Sequence, residues 1–252
     1  MAYEKLGAQP LDYNPCRYGT SKLLFRGPKR RLEGNYAAFL GGTQTYGKFI
    51  AQPFPALTEA QTGVPCVNLG WSNAGLDVLL NEAEIIAAAS RAAVTVLQVP
   101  GAQNLYPEVD FTEFHFIRHL LHHLVEVSED RFAAVRRELQ EAWIARMTLL
   151  LRRIEAPVVL LWMSGHAPHQ DANDLGIAAD PAFVTSSMLQ AVRGRAARLI
   201  DASLSAAALA EGTDGMVHSE FEANIAAELP GPAAHRDVAQ QLAPIVTQYA
   251  GQ

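Results

Sequence analysis

The sequence predicts an α/β protein, built as a three-layer α/β/α sandwich with about five mostly parallel strands. Short apolar runs alternate with helix-like stretches, which is the pattern of strand–helix–strand units around a parallel sheet. All but the last of these runs are apolar nearly throughout, as expected of strands covered by helices on both faces. The chain has 252 residues, 49% of them hydrophobic, so one domain with a sizeable core is expected over 1–252.

Five apolar runs are expected to form the strands. Each is bounded by glycine, proline, asparagine or another turn-forming residue, and the last has the weakest apolar pattern. The runs are YAAFLGG at 36–42, VPCVNLG at 64–70, VTVLQVPG at 94–101, PVVLLWMSG at 157–165 and ARLIDAS at 197–203.

Helical periodicity fills the segments between these runs. The tract at 112–154 is too long for a plain crossover, and Ser128 with the two acidic residues after it predicts the start of a second helix there. We therefore expect a helical insertion over 105–155. Residues 1–34 lack lasting periodicity and predict an irregular N-terminal arm. The other expected helices lie at 76–93 and 180–197, and a closing helix is expected at 235–250.

Composition argues against several classes of function. A formal net charge of −6 disfavours nucleic acid and anionic membranes as partners, because both require a basic surface. The start, MAYEKLGAQP, has no apolar core, and no apolar run approaches the ~18 residues of a membrane span, so we expect a cytoplasmic protein. Cys16 and Cys66 are then expected as reduced thiols. No cofactor or metal motif is visible, and a homo-oligomer is a common state for such proteins.

The loops after the predicted strands are the expected location of a functional site, since ligands of open α/β sheets bind beyond the carboxyl ends of the strands. Three loops are rich in glycine, hydroxyl and carboxamide groups: 41–47, 68–75 and 101–104. The glycines permit tight turns, and backbone N–H groups at a helix start can bind an oxyanion.

At these loops the sequence resembles the SGNH/GDSL hydrolase superfamily. In that superfamily a nucleophile at a strand end, a glycine and an asparagine carry out attack and oxyanion stabilisation. The resemblance implies an SGNH- or flavodoxin-like sandwich and an esterase or acyltransferase for a polar, carbohydrate-linked or otherwise small-molecule substrate.

The resemblance also assigns roles to residues. It puts Thr43 at the nucleophile, preceded by Gly42 where an acidic residue is usual, and Asn104 at the oxyanion asparagine, with Gln103 as the alternative. His235 stands at the general base, although Pro232 replaces the usual acid; Glu228 and His218 are substitutes. The remaining candidates for substrate binding in these loops are Gly42, Gln44, Thr45, Tyr46, Gly70, Gly75 and Gln103. Independently of the resemblance, Arg30 and Arg31 of a basic run and His166 after the fourth strand are candidates as well.

Over nearly its full length the chain is also similar to the DUF6473 family of uncharacterised bacterial proteins. Three stretches carry this similarity, and it brings no assigned activity. They are YGTSKLLFRGPKRRLEGNYAAFLGGTQTYGKF at 18–49, VPGAQN at 99–104 and LPGPAAH at 229–235.

Two further patterns leave alternatives open. The basic run from Lys22 to Arg31 is a candidate clamp for a phosphate, sulfate or carboxylate group, or a solvated charged arm. Histidines at 115, 119 and 122 share one helical face, which is compatible with a metal site or with an ordinary polar surface. The alternatives to the hydrolase are therefore a transferase or binding protein for an anionic ligand, and a non-catalytic SGNH-like descendant.

Overall fold

The protein forms one sheet of five parallel strands in the order β2-β1-β3-β4-β5, as seen in a computed structural model that describes residues 11–103, 120–170, 176–177 and 179–251. The predicted fold class is confirmed, since each predicted run contains one strand and all neighbouring pairs are parallel. The strands are β1 (Ala37–Leu40), β2 (Cys66–Asn68), β3 (Val94–Gln98), β4 (Val158–Trp162) and β5 (Arg198–Asp201).

Helices precede or follow every strand. The second helix of the 112–154 tract begins after Ser128, whose side chain accepts a hydrogen bond from the N–H of Arg131 at 3.4 Å. The described helices are α1 (Thr43–Tyr46), α2 (Phe54–Thr62), α3 (Leu76–Asn81), α4 (Ala83–Arg91), α5 (described over 120–127), α6 (Glu129–Arg153), α7 (Ser186–Arg193), α8 (Ala206–Glu211), α9 (Ala223–Ala227) and α10 (Pro232–Ala250), with a 3₁₀ turn at Glu220–Glu222.

Two predicted helices differ from the observed ones. The stretch at 76–93 is divided by Glu82, which has extended backbone angles (φ −89°, ψ 98°) and ends α3 before α4 begins. The stretch at 180–197 forms only α7, because Thr185 caps a helix that begins at Ser186. Pro181 disfavours helical angles at the residue before it, and Phe183 has a φ of +61°, so 180–184 form an irregular segment instead.

Two separate apolar clusters cover the two faces of the sheet. Alternate side chains of β4 show this division: Leu160 packs in one cluster and Leu161 in the other, and both are fully buried. The first cluster includes α3, α4, α6 and α7, whereas the second includes α2, α8 and α10. These clusters give the three layers.

The described part of the N-terminal arm packs against the sandwich as irregular chain. Cys16 and Phe25 form an isolated antiparallel bridge. The buried guanidinium of Arg26 donates to four backbone carbonyls between α1 and α2: Tyr46 (3.3 Å), Gly47 (2.5 Å), Ile50 (2.7 Å) and Ala51 (3.0 Å). The arm thereby fixes the loop that follows the first strand.

The described residues bear on two expectations, the absence of a membrane span and the reduced state of the cysteines. No described helix is both long enough and apolar enough to cross a membrane. Cys16 and Cys66 are both free thiols, and burial raises the pKa of the Cys66 thiol well above its usual value.

Candidate functional site at the carboxyl edge of the sheet

The strand order places a topological switch point at the carboxyl ends of β1 and β3. The chain leaves β1 toward β2 on one side of the sheet, and β3 lies on the other side of β1. In sheets with this order the connections diverge at that point, and ligands bind in the gap they leave. The segment that contains α1 follows β1 directly and therefore borders this gap.

Two glycines allow α1 to approach the neighbouring backbone closely. A Cβ atom on Gly41 would lie 2.2 Å from Thr45 Oγ1 and 2.7 Å from Gln98 Oε1. A Cβ atom on Gly70 would lie 2.4 Å from the backbone nitrogen of Tyr46. Since real contacts of this kind are not found below 3.0 Å, glycine at both positions is what allows α1 to lie against β3 and the loop after β2.

Thr43 begins α1 and is half-buried. Its hydroxyl accepts a hydrogen bond from the N–H of Asn73 at 3.1 Å and donates to Asn73 Oδ1 at 3.4 Å. Asn73 belongs to the loop after β2 and has a φ of +60°, a left-handed conformation that asparagine tolerates better than most residues. The loops after β1 and β2 therefore meet at the Thr43 hydroxyl.

A directed chain of hydrogen bonds runs from α1 through β3 to the loop after β4. Gln98 Oε1 accepts from the Thr45 hydroxyl at 2.6 Å and from the Thr45 N–H at 3.2 Å. Gln98 Nε2 then donates to Gln44 Oε1 at 2.9 Å, and Gln44 Nε2 donates to the carboxylate of Asp180. Each donor points toward the Asp180 charge, so the bonds fix the orientation of both carboxamides. We call Thr43, Gln44, Asn73, Gln98 and Asp180 the carboxyl-edge site.

The loop after β4 joins the carboxyl-edge site through Asp180. The Ser164 hydroxyl donates to the backbone carbonyl of Asp180 at 2.6 Å and accepts from the N–H of His166 at 3.2 Å. The His166 ring is half-buried, lies edge-on to Trp162 with centroids 5.2 Å apart, and has Nδ1 at 3.2 Å from the carbonyl of Ala167. His166 therefore lies at the same edge of the sheet as Thr43.

The structure gives His235 a different environment from the one expected of a general base. Its side chain is 1% exposed and stacks on the ring of Phe54, and its Nδ1 accepts the N–H of Phe54 at 3.1 Å. Burial, together with the nearby charge of Arg26, lowers the pKa of His235 to about 3. An imidazole so placed joins the starts of α2 and α10 and is shielded from solvent.

Two of the expected clamp residues, Arg30 and Arg31, lie away from the carboxyl-edge site, whereas Arg26 of the same run binds the end of α1. Arg30 forms a two-bond ion pair with Glu59 (2.9 and 2.5 Å), and Glu59 also accepts the N–H of Cys66, the first residue of β2. Arg30 is therefore at the amino end of a strand parallel to β1, whereas Thr43 follows the carboxyl end of β1. Arg31 is exposed and, with Lys29 and Arg30, lines an open cleft of about 390 Å³.

The other predicted residues are distributed as follows. Tyr46 ends α1, with its ring 5.2 Å from that of Tyr13, and Gly75 precedes α3. Gln103 lies in the loop after β3. Asn104, and with it the predicted oxyanion asparagine, lies outside the described residues, as do His115 and His119 of the histidine-rich tract.

Gln98 and Asp180 belong to the site but were not among the predicted residues. Gln98 is a carboxamide at the carboxyl end of the mostly apolar strand VTVLQ, and a buried carboxamide in that position needs partners. This signal was present in the sequence. Asp180 had no such signal, because only the fold brings its irregular segment to Gln44.

The layered sheet, with polar side chains beyond the carboxyl ends of β1 and β3, has the topology of the open, doubly wound α/β proteins. The comparison with family models agrees with a full-length resemblance: the model of the domain of unknown function DUF6473 matches residues 1–105 and 103–250. The chain belongs to the DUF6473 family. A comparison with curated proteins gives no match.

Proposed function

We propose that the carboxyl-edge site binds a polar small molecule or glycan ester, and that the chain acts on it as an ester hydrolase or acyltransferase of the SGNH type. The observation that carries this proposal is the position of Thr43. Its hydroxyl follows the glycine turn after β1 at the carboxyl edge of the sheet, on a residue that is half-buried. An attacking oxygen in acyl transfer needs this placement.

Backbone donors beside Thr43 support the same chemistry. Among the described residues, no acceptor binds the N–H of Thr43 or of Gln44, as is usual in the first turn of a helix. These groups are available to an oxyanion that forms on an acyl carbonyl. Asn104 keeps its predicted role as a further donor.

The proposed reaction proceeds in two steps. Thr43 Oγ1 attacks the acyl carbonyl, and its proton passes to the alcohol oxygen as the bond to that alcohol breaks. The acyl group on Thr43 then transfers to water or to an acceptor hydroxyl, which gives its proton back as Thr43 is released. His235 takes no part in either step.

The experiment compares hydrolysis of p-nitrophenyl acetate and butyrate by the purified wild type and by Thr43→Ala and Thr43→Ser. We expect Thr43→Ala to lower kcat/KM by at least about a hundredfold, since it removes the attacking oxygen. Thr43→Ser should keep or raise the rate, because serine is less hindered. Thr247→Ala, on the exposed face of α10, is the matched control. Absent hydrolysis, or hydrolysis that survives Thr43→Ala, would contradict the proposal.

A second candidate function is ligand binding without turnover. It is favoured by the hydrogen bonds of the Thr43 hydroxyl, which join it to Asn73 rather than to an imidazole. In that case the wild type would bind a polar ligand that emerges unchanged from prolonged incubation, as mass spectrometry of the recovered ligand would show.

An anionic ligand is the third candidate, favoured by the cleft at Lys29, Arg30 and Arg31. Sulfate titrated into the wild type and into Arg31→Gln would test it by calorimetry. Saturable binding that the variant loses would support an anion site in this cleft, separate from the carboxyl-edge site.

A further inference from the structure

Within the described part of the chain, two buried side-chain atoms of the loops after β3 and β4 have no hydrogen-bond partner. They are His166 Nε2 and Gln103 Oε1, and both are shielded from bulk water. Buried polar side-chain atoms are nearly always paired in native proteins, because an unpaired one loses its bonds to water without replacement. Such atoms call for a partner that the described residues do not supply.

The tautomer of His166 defines the chemistry of the first atom. Nδ1 lies 3.2 Å from the carbonyl of Ala167, and a carbonyl oxygen can only accept, so Nδ1 carries the proton. In the neutral imidazole the lone pair is then on Nε2. Nε2 is therefore an oriented acceptor.

The loops that contain the two atoms are both hydrogen-bonded to the segment 180–182. Gln103 adjoins Ala102, whose N–H donates to the carbonyl of Ala182 at 2.9 Å. On the other side, Ser164 binds the carbonyl of Asp180 and the N–H of His166. The segment 180–182 thus links the loops after β3 and β4, and the Asp180 carboxylate connects it to Gln44.

We propose that His166 Nε2 and Gln103 Oε1 bind hydroxyl groups of the ligand, which is therefore a neutral polyhydroxylated molecule of the carbohydrate class. Two acceptors require two donors, and neighbouring sugar hydroxyls supply donors while they also accept from groups such as backbone N–H. A phosphate or sulfate would bring more acceptors and a negative charge toward the Asp180 carboxylate. This inference rests on the proposed function for the location of the site, and it selects carbohydrate over anion there.

The experiment follows the ring nitrogens of His166 by long-range ¹H–¹⁵N NMR in the full-length chain. Titration uses maltotriose, cellotriose, xylotriose and, as the anionic probe, inorganic sulfate. We expect the Nδ1-protonated tautomer in the free protein and a saturable shift of Nε2 with at least one sugar but not with sulfate.

Variants separate a ligand contact from a structural one. His166→Asn keeps a donor near Nδ1 but removes the Nε2 acceptor, and we expect the dissociation constant for the bound sugar to rise at least about tenfold. His166→Gln restores an acceptor near Nε2 and should recover part of the affinity, and Gln103→Leu should weaken binding similarly. The melting temperatures should be equal to or above that of the wild type. His169→Asn, at an exposed histidine of the same loop, is the control.

The outcomes also distinguish this inference from the proposed activity. The inference is overturned if none of the three sugars gives a saturable shift, if Nε2 is bonded to water alone, or if sulfate alone binds. It is also overturned if His166→Asn and Gln103→Leu both bind sugar as tightly as the wild type. Sugar binding that depends on His166, without any ester hydrolysis, would support this inference and contradict the proposed activity. Hydrolysis that depends on Thr43 but not on His166 or Gln103 would do the reverse.

Discussion

Arg26 shows how one buried charge holds the site in place through backbone carbonyls. Its guanidinium is 5% exposed and donates to carbonyls on both sides of the turn between α1 and α2, and it lies over the ring of Tyr13 at 5.1 Å. A planar group with several donors suits this arrangement, because the carbonyl oxygens are fixed in different directions.

Replacement of Arg26 by lysine should therefore destabilise the protein. A lysine has one point of charge and cannot reach the same set of carbonyls, so we expect a loss of about 3 kcal/mol in the free energy of unfolding. Urea denaturation measures it. Arg30→Lys is the matched control, since the half-exposed pair with Glu59 should change stability by only about 0–1 kcal/mol. Equal losses from the two changes would disprove the special role of Arg26.

The burial of His235 predicts that the stability of the protein depends on pH. Its pKa falls to about 3 in the folded protein, mainly through burial, against 6.5 for the ordinary side chain. The unfolded chain therefore binds the proton first, and stability falls as the pH drops below about 6.5. The full contribution is present above that value.

The free energy of unfolding of the wild type, minus that of His235→Asn, should fall by about 1.4 kcal/mol per pH unit between pH 6 and 4. Asparagine can accept the N–H of Phe54 but does not titrate. Urea denaturation over this range provides the measurement, and all other titrating groups are common to both proteins. A difference that stays constant with pH would mean that the buried imidazole is not held neutral.

At the scale of elements, close packing of α1 against its neighbours determines the geometry of the site. Gly70→Ala would place a methyl group against the backbone of Tyr46, which cannot move without displacing α1. We expect a loss of roughly 2 kcal/mol or more in stability, together with a change in any binding at Thr43.

Calorimetric melting of Gly70→Ala beside Gly194→Ala tests this expectation. Gly194 ends α7 with a φ of −65°, and a methyl group there meets no atom within 4 Å. Its replacement should be neutral or stabilising by about 0.4–1 kcal/mol, because alanine restricts the unfolded chain. Similar behaviour of the two variants would show that α1 is not tightly held.

At the scale of the whole molecule, the three-layer arrangement predicts that both faces of the sheet are equally sensitive. Leu160 and Leu161 are neighbours in β4, and each is fully buried in a different cluster. Leu160→Ala and Leu161→Ala should each lower the free energy of unfolding by about 2–5 kcal/mol. Urea denaturation would reveal a half-solvated sheet if one of the two changes were nearly neutral.

Sequence patterns were sufficient for the strands but less so for the helices and the site. The apolar runs around β1 to β4 are short and are bounded by turn-forming residues, as expected of strands in a sheet covered on both sides. The sequence did not predict the break at Glu82 or the late start of α7. The helical spacing of apolar residues continues through 76–93 and 180–197, whereas the helical backbone is interrupted at Glu82 and begins only at Ser186. The Thr43 turn and the loop with His166 could be identified from glycine and polar residues at strand ends.

The sequence by itself determined the layered parallel sheet, its family and the edge at which polar loops gather, since these depend on alternation of apolar runs and on turn-forming residues. Only the tertiary structure decided which polar groups meet. Asp180 reaches Gln44 from 136 positions away, Arg30 is engaged at the opposite end of the sheet, and His235 is buried against Phe54. Such pairings depend on distances between segments remote in the chain, and local patterns contain no information about them.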